Sequence, residues 1–148
     1  MKAKYALLAA AALVSALSPG VASAQRFGRA SQVEVIQVGS GNGAAATQTG
    51  RSNDIGIVQT GRDQTAIVRQ NGNGNDAGVR QWGSGNAVEV VQNGNANSAC
   101  VNQIGNGLST GVVQNGGSTL HVLDTNRGRT VSNRPIIRGR MVYFCSND

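Results

Sequence analysis

Between residues 31 and 125 the apolar positions fall in pairs that skip one residue: Ala44 and Ala46, Ile55 and Ile57, Ala66 and Val68, Ala77 and Val79, Val88 and Val90, Ala99 and Val101. A spacing of two puts both members on one face of an extended strand. Two places beyond each pair stands a glutamine, which shares that face. The glutamines recur every eleven residues, at Gln37, Gln48, Gln59, Gln70, Gln81, Gln92, Gln103 and Gln114. Each is followed two places later by a glycine: Gly39, Gly50, Gly61, Gly72, Gly83, Gly94, Gly105 and Gly116. The other half of the period is turn chemistry, as in GSGN at Gly39 to Asn42, GNGN at Gly72 to Asn75 and GSGN at Gly83 to Asn86. These residues tolerate the positive φ that tight turns require. An eleven-residue period also suits a right-handed helical supercoil, but a glycine in every period, at about 1 kcal/mol each, excludes that reading. Each period is therefore expected to be one strand of about five residues and one turn.

A single short strand cannot enclose a core. Two periods fold into two facing strands, and stacking such units gives an all-β architecture, a β-solenoid of 22-residue rungs. Ser31, Asn53, Asn75 and Asn97, each six residues before a glutamine, open rungs at 31–52, 53–74, 75–96 and 97–118, with a degraded fifth from Thr119. The solenoid is thus expected to have about four and a half rungs over residues 31–125. Equivalent inward amides then stack on one another, each able to donate to one neighbour and accept from the other. The predicted ladder residues are Gln37, Asn42, Gln48, Asn53, Gln59, Gln70, Asn75, Gln81, Asn86, Gln92, Gln103 and Gln114.

A solenoid ends in unpaired strand edges, and soluble examples block them with capping structure. The first rung is expected to stand uncovered, a template for the strands of another copy. At the other end His121 takes a normally apolar phase, Thr125 stands eleven residues after Gln114 where the next glutamine belongs, and Pro135 cannot donate to a ladder. Residues 126–148 are read as a cap or an anchor.

Charge sharpens the reading of that tail. The formal net charge is +6, and it becomes +4 without Lys2 and Lys4. Residues 25–125 hold six arginines against six acids, whereas residues 126–148 hold Arg127, Arg129, Arg134, Arg138 and Arg140 against Asp148 alone. With aromatics at 3% and none interleaved with the arginines, nucleic acid is not an expected partner. An anionic surface, such as an outer membrane, fits this basic patch better. The chain opens with a basic start, an apolar run from Ala6 to Leu17 and the small residues Ala22-Ser23-Ala24. That is the pattern of a secretory signal peptide over residues 1–24, with a short segment 25–30 before the repeats.

Chemistry-bearing residues are sparse. Cys100 and Cys145 in an exported chain leave three alternatives: an internal bridge, an intermolecular bond, or free thiols. One histidine and two distant cysteines do not supply a zinc site, and no metal or other cofactor is expected. GNGND at Gly72 to Asp76 resembles a calcium-binding turn only superficially, because no aspartate recurs with the repeat. His121 has no nucleophile in a recognisable motif, and an enzyme is not expected. Trp82 sits at a turn mouth as a surface aromatic.

The pattern S-x5-Q-x-G-x2-N-x-A-x3-Q resembles the repeat of the curlins, the subunits of bacterial curli amyloid fibres. Ser31, Gln37, Gly39, Asn42, Ala44 and Gln48 fit it in full. The second unit reads Asn53, Gln59, Gly61, Gln64, Ala66 and Gln70, and the third Asn75, Gln81, Gly83, Asn86, Val88 and Gln92. The fourth keeps Gln103, Gly105 and Gln114 but has Leu108 and Thr110 at the Asn and Ala positions. The resemblance implies a secreted subunit, assembling outside a Gram-negative cell into homopolymeric adhesive fibres of the biofilm matrix. It also implies other curlin subunits and the curli secretion apparatus as partners. The family has a main subunit and a minor surface nucleator with a more basic last repeat, toward which this charge distribution leans. In the family, inward Gln and Asn of the terminal repeats drive assembly, and the matching residues are Gln37, Asn42, Gln48, Gln103 and Gln114. The competing class is a soluble monomeric β-solenoid acting as an adhesin or binding protein.

Overall fold

Alternating burial along the repeat strands, with the apolar pairs and glutamines inward, closes two parallel sheets on a shared interior. The computed structural model describes the backbone of Ala10–Ser15 (β1), Gly20–Ser23 (β2), residues 31–134, Ile136–Arg138 (β13) and Met141–Tyr143 (β14), and the side chains of residues 31–134. Within 31–134 the strands are Gln32–Ser40 (β3), Gly43–Thr49 (β4), Asp54–Arg62 (β5), Thr65–Asn71 (β6), Asp76–Ser84 (β7), Ala87–Asn93 (β8), Ser98–Asn106 (β9), Ser109–Asn115 (β10), Thr119–Thr125 (β11) and Gly128–Ser132 (β12). One sheet runs β12-β11-β9-β7-β5-β3-β2 and the other β10-β8-β6-β4-β1. From β3 to β11 all neighbours in a sheet are parallel. The chain is a β-solenoid of four strand pairs and a final single repeat strand, β11.

Register is kept with a shift of 22 residues, so Gln37 faces Gln59, Gln59 faces Gln81 and Gln81 faces Gln103. Between the sheets lies a thin apolar core in which Ile55, Ile57, Ala66, Val68, Ala77, Val79, Val90 and Val101 are 0% exposed. Alanine or valine on one side meeting valine or isoleucine on the other suits two sheets packed closely.

Three features depart from expectation. The strands are longer than five residues, alternating between nine and seven. In the long strands the glycine after the glutamine stays inside the ladder, Gly61 opposite Gly83 and Gly83 opposite Gly105. Gly83 has φ of 123°, and a Cβ there would stand 1.8 Å from the Gly105 carbonyl oxygen. Glycine thus lets the strand bend while adjacent rungs approach at backbone contact.

The second departure is in β11. The residue paired with Gln103 is Asp124, not Thr125, which pairs with Ile104. The turn from β10 to β11 has one residue fewer than the turn from β8 to β9, running from Gly116 to Ser118 rather than Gly94 to Asn97. Counting by eleven therefore overshoots by one.

The third concerns the first rung, which is not uncovered in the whole chain. β1 lies antiparallel on β4, and β2 lies antiparallel on β3. At the opposite end β12 turns back antiparallel on β11. Among the described strands none follows β10 in its sheet. β13 and β14 form a separate antiparallel pair.

Candidate assembly surface

Two columns of buried glutamines run the length of the solenoid, one from each sheet. In the first, Gln37 Nε2 donates to Gln59 Oε1 at 2.7 Å, Gln59 to Gln81 at 2.9 Å and Gln81 to Gln103 at 2.9 Å. In the second, Gln48 donates to Gln70 at 3.0 Å, Gln70 to Gln92 at 2.8 Å and Gln92 to Gln114 at 2.8 Å. The other amide hydrogen crosses to the opposite sheet, from Gln59 to the Gly43 carbonyl at 3.1 Å and from Gln70 to the Asp54 carbonyl at 2.8 Å. Each glutamine from Gln48 to Gln114 therefore ties rung to rung and sheet to sheet, whereas the Gln37 side chain bonds only to Gln59. The first tie follows from the sequence repeat. The second does not, because it needs the pairing geometry of the two strands.

The asparagines do different work from amide-on-amide stacking. Asn53 Nδ2 donates to the Thr49 and Gly72 carbonyls at 3.2 and 2.9 Å, while its Oδ1 accepts the backbone N–H of Asn75 at 3.0 Å. Asn42 and Asn86 repeat the pattern, with donation to Gly61 and Gly105 and acceptance from the backbone of Gln64 and Leu108. These side chains satisfy turn groups that strand pairing leaves unmade. In the buried column only Asn97 and Asn75 also bond amide to amide, at 3.0 Å. Gln64 and Asn97, 0% and 1% exposed, belong to the same columns although not expected among the ladder residues. Both stand at in-phase repeat positions, which is the signal that marks them.

The columns have a direction. Every glutamine donates toward the C-terminal end and accepts from the N-terminal side. Gln37 Oε1 and Gln48 Oε1 are consequently buried acceptors with no partner. A buried polar group left unpaired costs about 1–3 kcal/mol. The N-terminal face thus presents two oxygens able to accept from an added strand.

At the C-terminal end the columns stop and β12 covers β11, while β10 stays an edge strand among the described residues. Gln103 Nε2 donates to Thr110 Oγ1 at 3.0 Å, Thr110 donates to Asp124 Oδ2 at 2.7 Å, and Arg129 Nε and Nη2 donate to the same carboxylate oxygen at 3.1 and 2.7 Å. Arg129 Nη2 also donates to the Ser109 carbonyl on the edge of β10. Burial by itself would raise the Asp124 carboxyl, but hydrogen bonds from Arg129 and Thr110 and the guanidinium charge outweigh it, holding the group below its ordinary range. Gln114, ending the second column, donates to the Ser98 and Ser118 carbonyls at 3.0 and 2.9 Å. Thr110 and Asp124 were not legible as ladder members, since neither is an amide and Asp124 falls one residue short of the repeat.

Of the tail arginines, Arg127 and Arg134 are exposed, and Arg129 serves the cap. Arg138 lies in β13 with its side chain outside the described residues, as is the whole of Arg140. Cys100 is disulfide-bonded and 3% exposed; Cys145 lies outside the described residues, as does the segment 25–30. Trp82 is 45% exposed on the outer face of β7. Asp76 borders a shallow outer groove with Glu34, Gly56, Gly78 and Arg80, and it pairs in register with Asp54. Desolvation by the surrounding sheet, then the Asp54 carboxylate, push its pKa up to about 6. Burial lowers the pKa of His121.

The family model described as the curlin-associated repeat matches residues 28–61 and again 50–83. The repeat geometry continues through residue 115 with the same register. No curated protein and no solved structure matches the chain.

Proposed function

The chain belongs to the curlin family, and on that premise we propose that it is a secreted structural subunit that polymerises end to end into extracellular curli-type amyloid fibres. The observation that carries this reading is the pair of buried, unpartnered acceptors, Gln37 Oε1 and Gln48 Oε1, at the N-terminal end of two continuous glutamine columns. A curlin subunit whose C-terminal edge brings a free glutamine donor to each column, lacking the Asp124–Arg129 closure, extends both sheets by backbone pairing and completes both columns. The contact is heterologous and does not close on itself, so repetition gives a filament.

The one-sided cap favours a starter over a main fibre subunit. β12 covers the β11 edge and Asp124 with Arg129 ends the first column there, which favours growth from the other end. Arg127 and Arg134, joined by Arg138 and Arg140 of the tail, supply charge for holding the capped end on an anionic outer-membrane surface. In this reading residues 1–24 are an export signal, the curli secretion apparatus and other curlin subunits are partners, the fibre serves adhesion and biofilm, and a bridge from Cys100 to Cys145 tethers the tail.

The test is seeded thioflavin T fluorescence of residues 25–148 together with fibre diffraction. Seeded growth and a meridional spacing of about 4.8 Å support the reading. A monomer that stays soluble with seeds present overturns it in favour of a monomeric binding solenoid.

A further inference from the structure

We propose that β1 and β2 act in cis as a removable cap on the growth edge, holding the uncut chain out of assembly until the leader is cleaved. The inference rests on the end-to-end reading above and names what occupies the growing face before a second copy does.

Both edges of the N-terminal end are taken in the whole chain. β1 pairs with six residues of β4, Gly43 to Gln48, and β2 with four of β3, Glu34 to Gln37. These are the edges that an incoming copy needs. Occupation is by a different mode from the rest of the solenoid. Between rungs the repeat strands pair in parallel, whereas both leader strands run antiparallel.

The register makes this cap replaceable. The residue opposite Gln37 is Gly20, and the residue opposite Gln48 is Ala10. Neither carries an amide, so the leader satisfies backbone groups but leaves both glutamine oxygens without a donor, as found. A strand that brings a glutamine to each position supplies two hydrogen bonds that the leader cannot. Residues 38–40 of β3 also extend beyond the pairing with β2. The leader is therefore a blocking but incomplete match, suited to being displaced once its covalent link is cut.

The experiment uses the full chain with a site-specific protease sequence inserted between Ala24 and Gln25. Seeded growth is followed by thioflavin T on one sample before and after cleavage. The uncut chain should elongate seeds at least about tenfold more slowly than the cut chain, since its template edge is paired. A second uncut variant carries Ala12→Pro, Leu13→Pro, Val21→Pro and Ala22→Pro, which deny backbone donors to the leader strands without touching the repeats. It should elongate at close to the cut rate. Equal growth of cut and uncut chains overturns the cap and leaves the assembly reading intact. An uncut proline variant that remains silent, when cleavage activates it, overturns strand pairing as the block. No growth from any form, with β-sheet circular dichroism retained, overturns the assembly reading and this inference with it.

Discussion

Asp124 occupies in the last rung the place that Gln103 occupies in the rung before, and its carboxylate takes two hydrogen bonds from Arg129 where the column would otherwise continue. An acid and a base thus end a ladder otherwise built from neutral amides. A carboxylate has no hydrogen to pass onward, so the chain of donors stops there.

Arg129→Leu should leave Asp124, whose side chain is 8% exposed, without its counter-charge. Because Arg129 is itself half exposed, the expected loss is about 1–3 kcal/mol in urea unfolding, not that of a fully buried pair. The double change Asp124→Gln with Arg129→Leu should do less harm, because an amide can rejoin the column. A single Arg129→Leu as stable as the parent would remove the ion pair from the account of the cap. The depressed carboxyl contributes stability above the ordinary carboxylate range, and that contribution is lost as pH falls through the lower folded value.

Asp76 has the opposite sign. Its folded pKa is raised from 3.8 to about 6, so its favourable contribution is complete below about pH 4 and is lost as pH rises through 6. The urea midpoint should fall between pH 5 and pH 7.5 in the parent, and Asp76→Asn should flatten that slope. An unchanged slope in the variant would assign the pH dependence elsewhere.

Gln81→Leu tests the columns where they are continuous. It removes the acceptor for Gln59, the donor to Gln103 and the tie to the Thr65 carbonyl. With two buried partners stranded, the expected loss is about 3 kcal/mol or more. Gln37→Leu, at the column's start, strands only the tie to Gln59 and should cost less in the monomer while slowing seeded elongation. Equal effects of the two on elongation and stability would contradict a directional column.

Two positive-φ positions in each turn respond oppositely. Gly83→Ala drives a Cβ into the Gly105 carbonyl and should prevent the rungs from closing. Ala96, with φ of 54°, occupies a site equivalent to Gly74, Gly85 and Gly107, so Ala96→Gly should stabilise by about 1 kcal/mol. Thermal unfolding that moves in the same direction for both would refute this distinction.

The period of eleven made the interior legible, because Gln37 to Gln114, and the apolar pairs before them, carry the same chemistry at every repeat. What lay beyond reach was where the period breaks or where the partner is distant. Thr125 was expected at the position that ends the ladder, and Asp124 stands there instead, since the turn at Gly116-Gly117-Ser118 is one residue short. The asparagines read as stacked amides, yet Asn53 and Asn86 bond mainly to backbone, a choice set by turn geometry. The first rung read as uncovered because residues 10–23 share no repeat with it, and antiparallel pairing of Gly20 with Gln37 needs no side-chain signal.

The alternation of nine-residue and seven-residue strands has a consequence for how such a chain can change length. Excising residues 53–74 would join one complete turn to an equivalent one, shortening the molecule by a single layer while every remaining residue keeps its neighbours. Excising eleven residues would put a short strand in the path of a long one and exchange the two walls from that point on. The molecule is divisible in units of two periods and indivisible in units of one. Gain or loss of whole layers is therefore the route by which its length can drift without disturbing its interior.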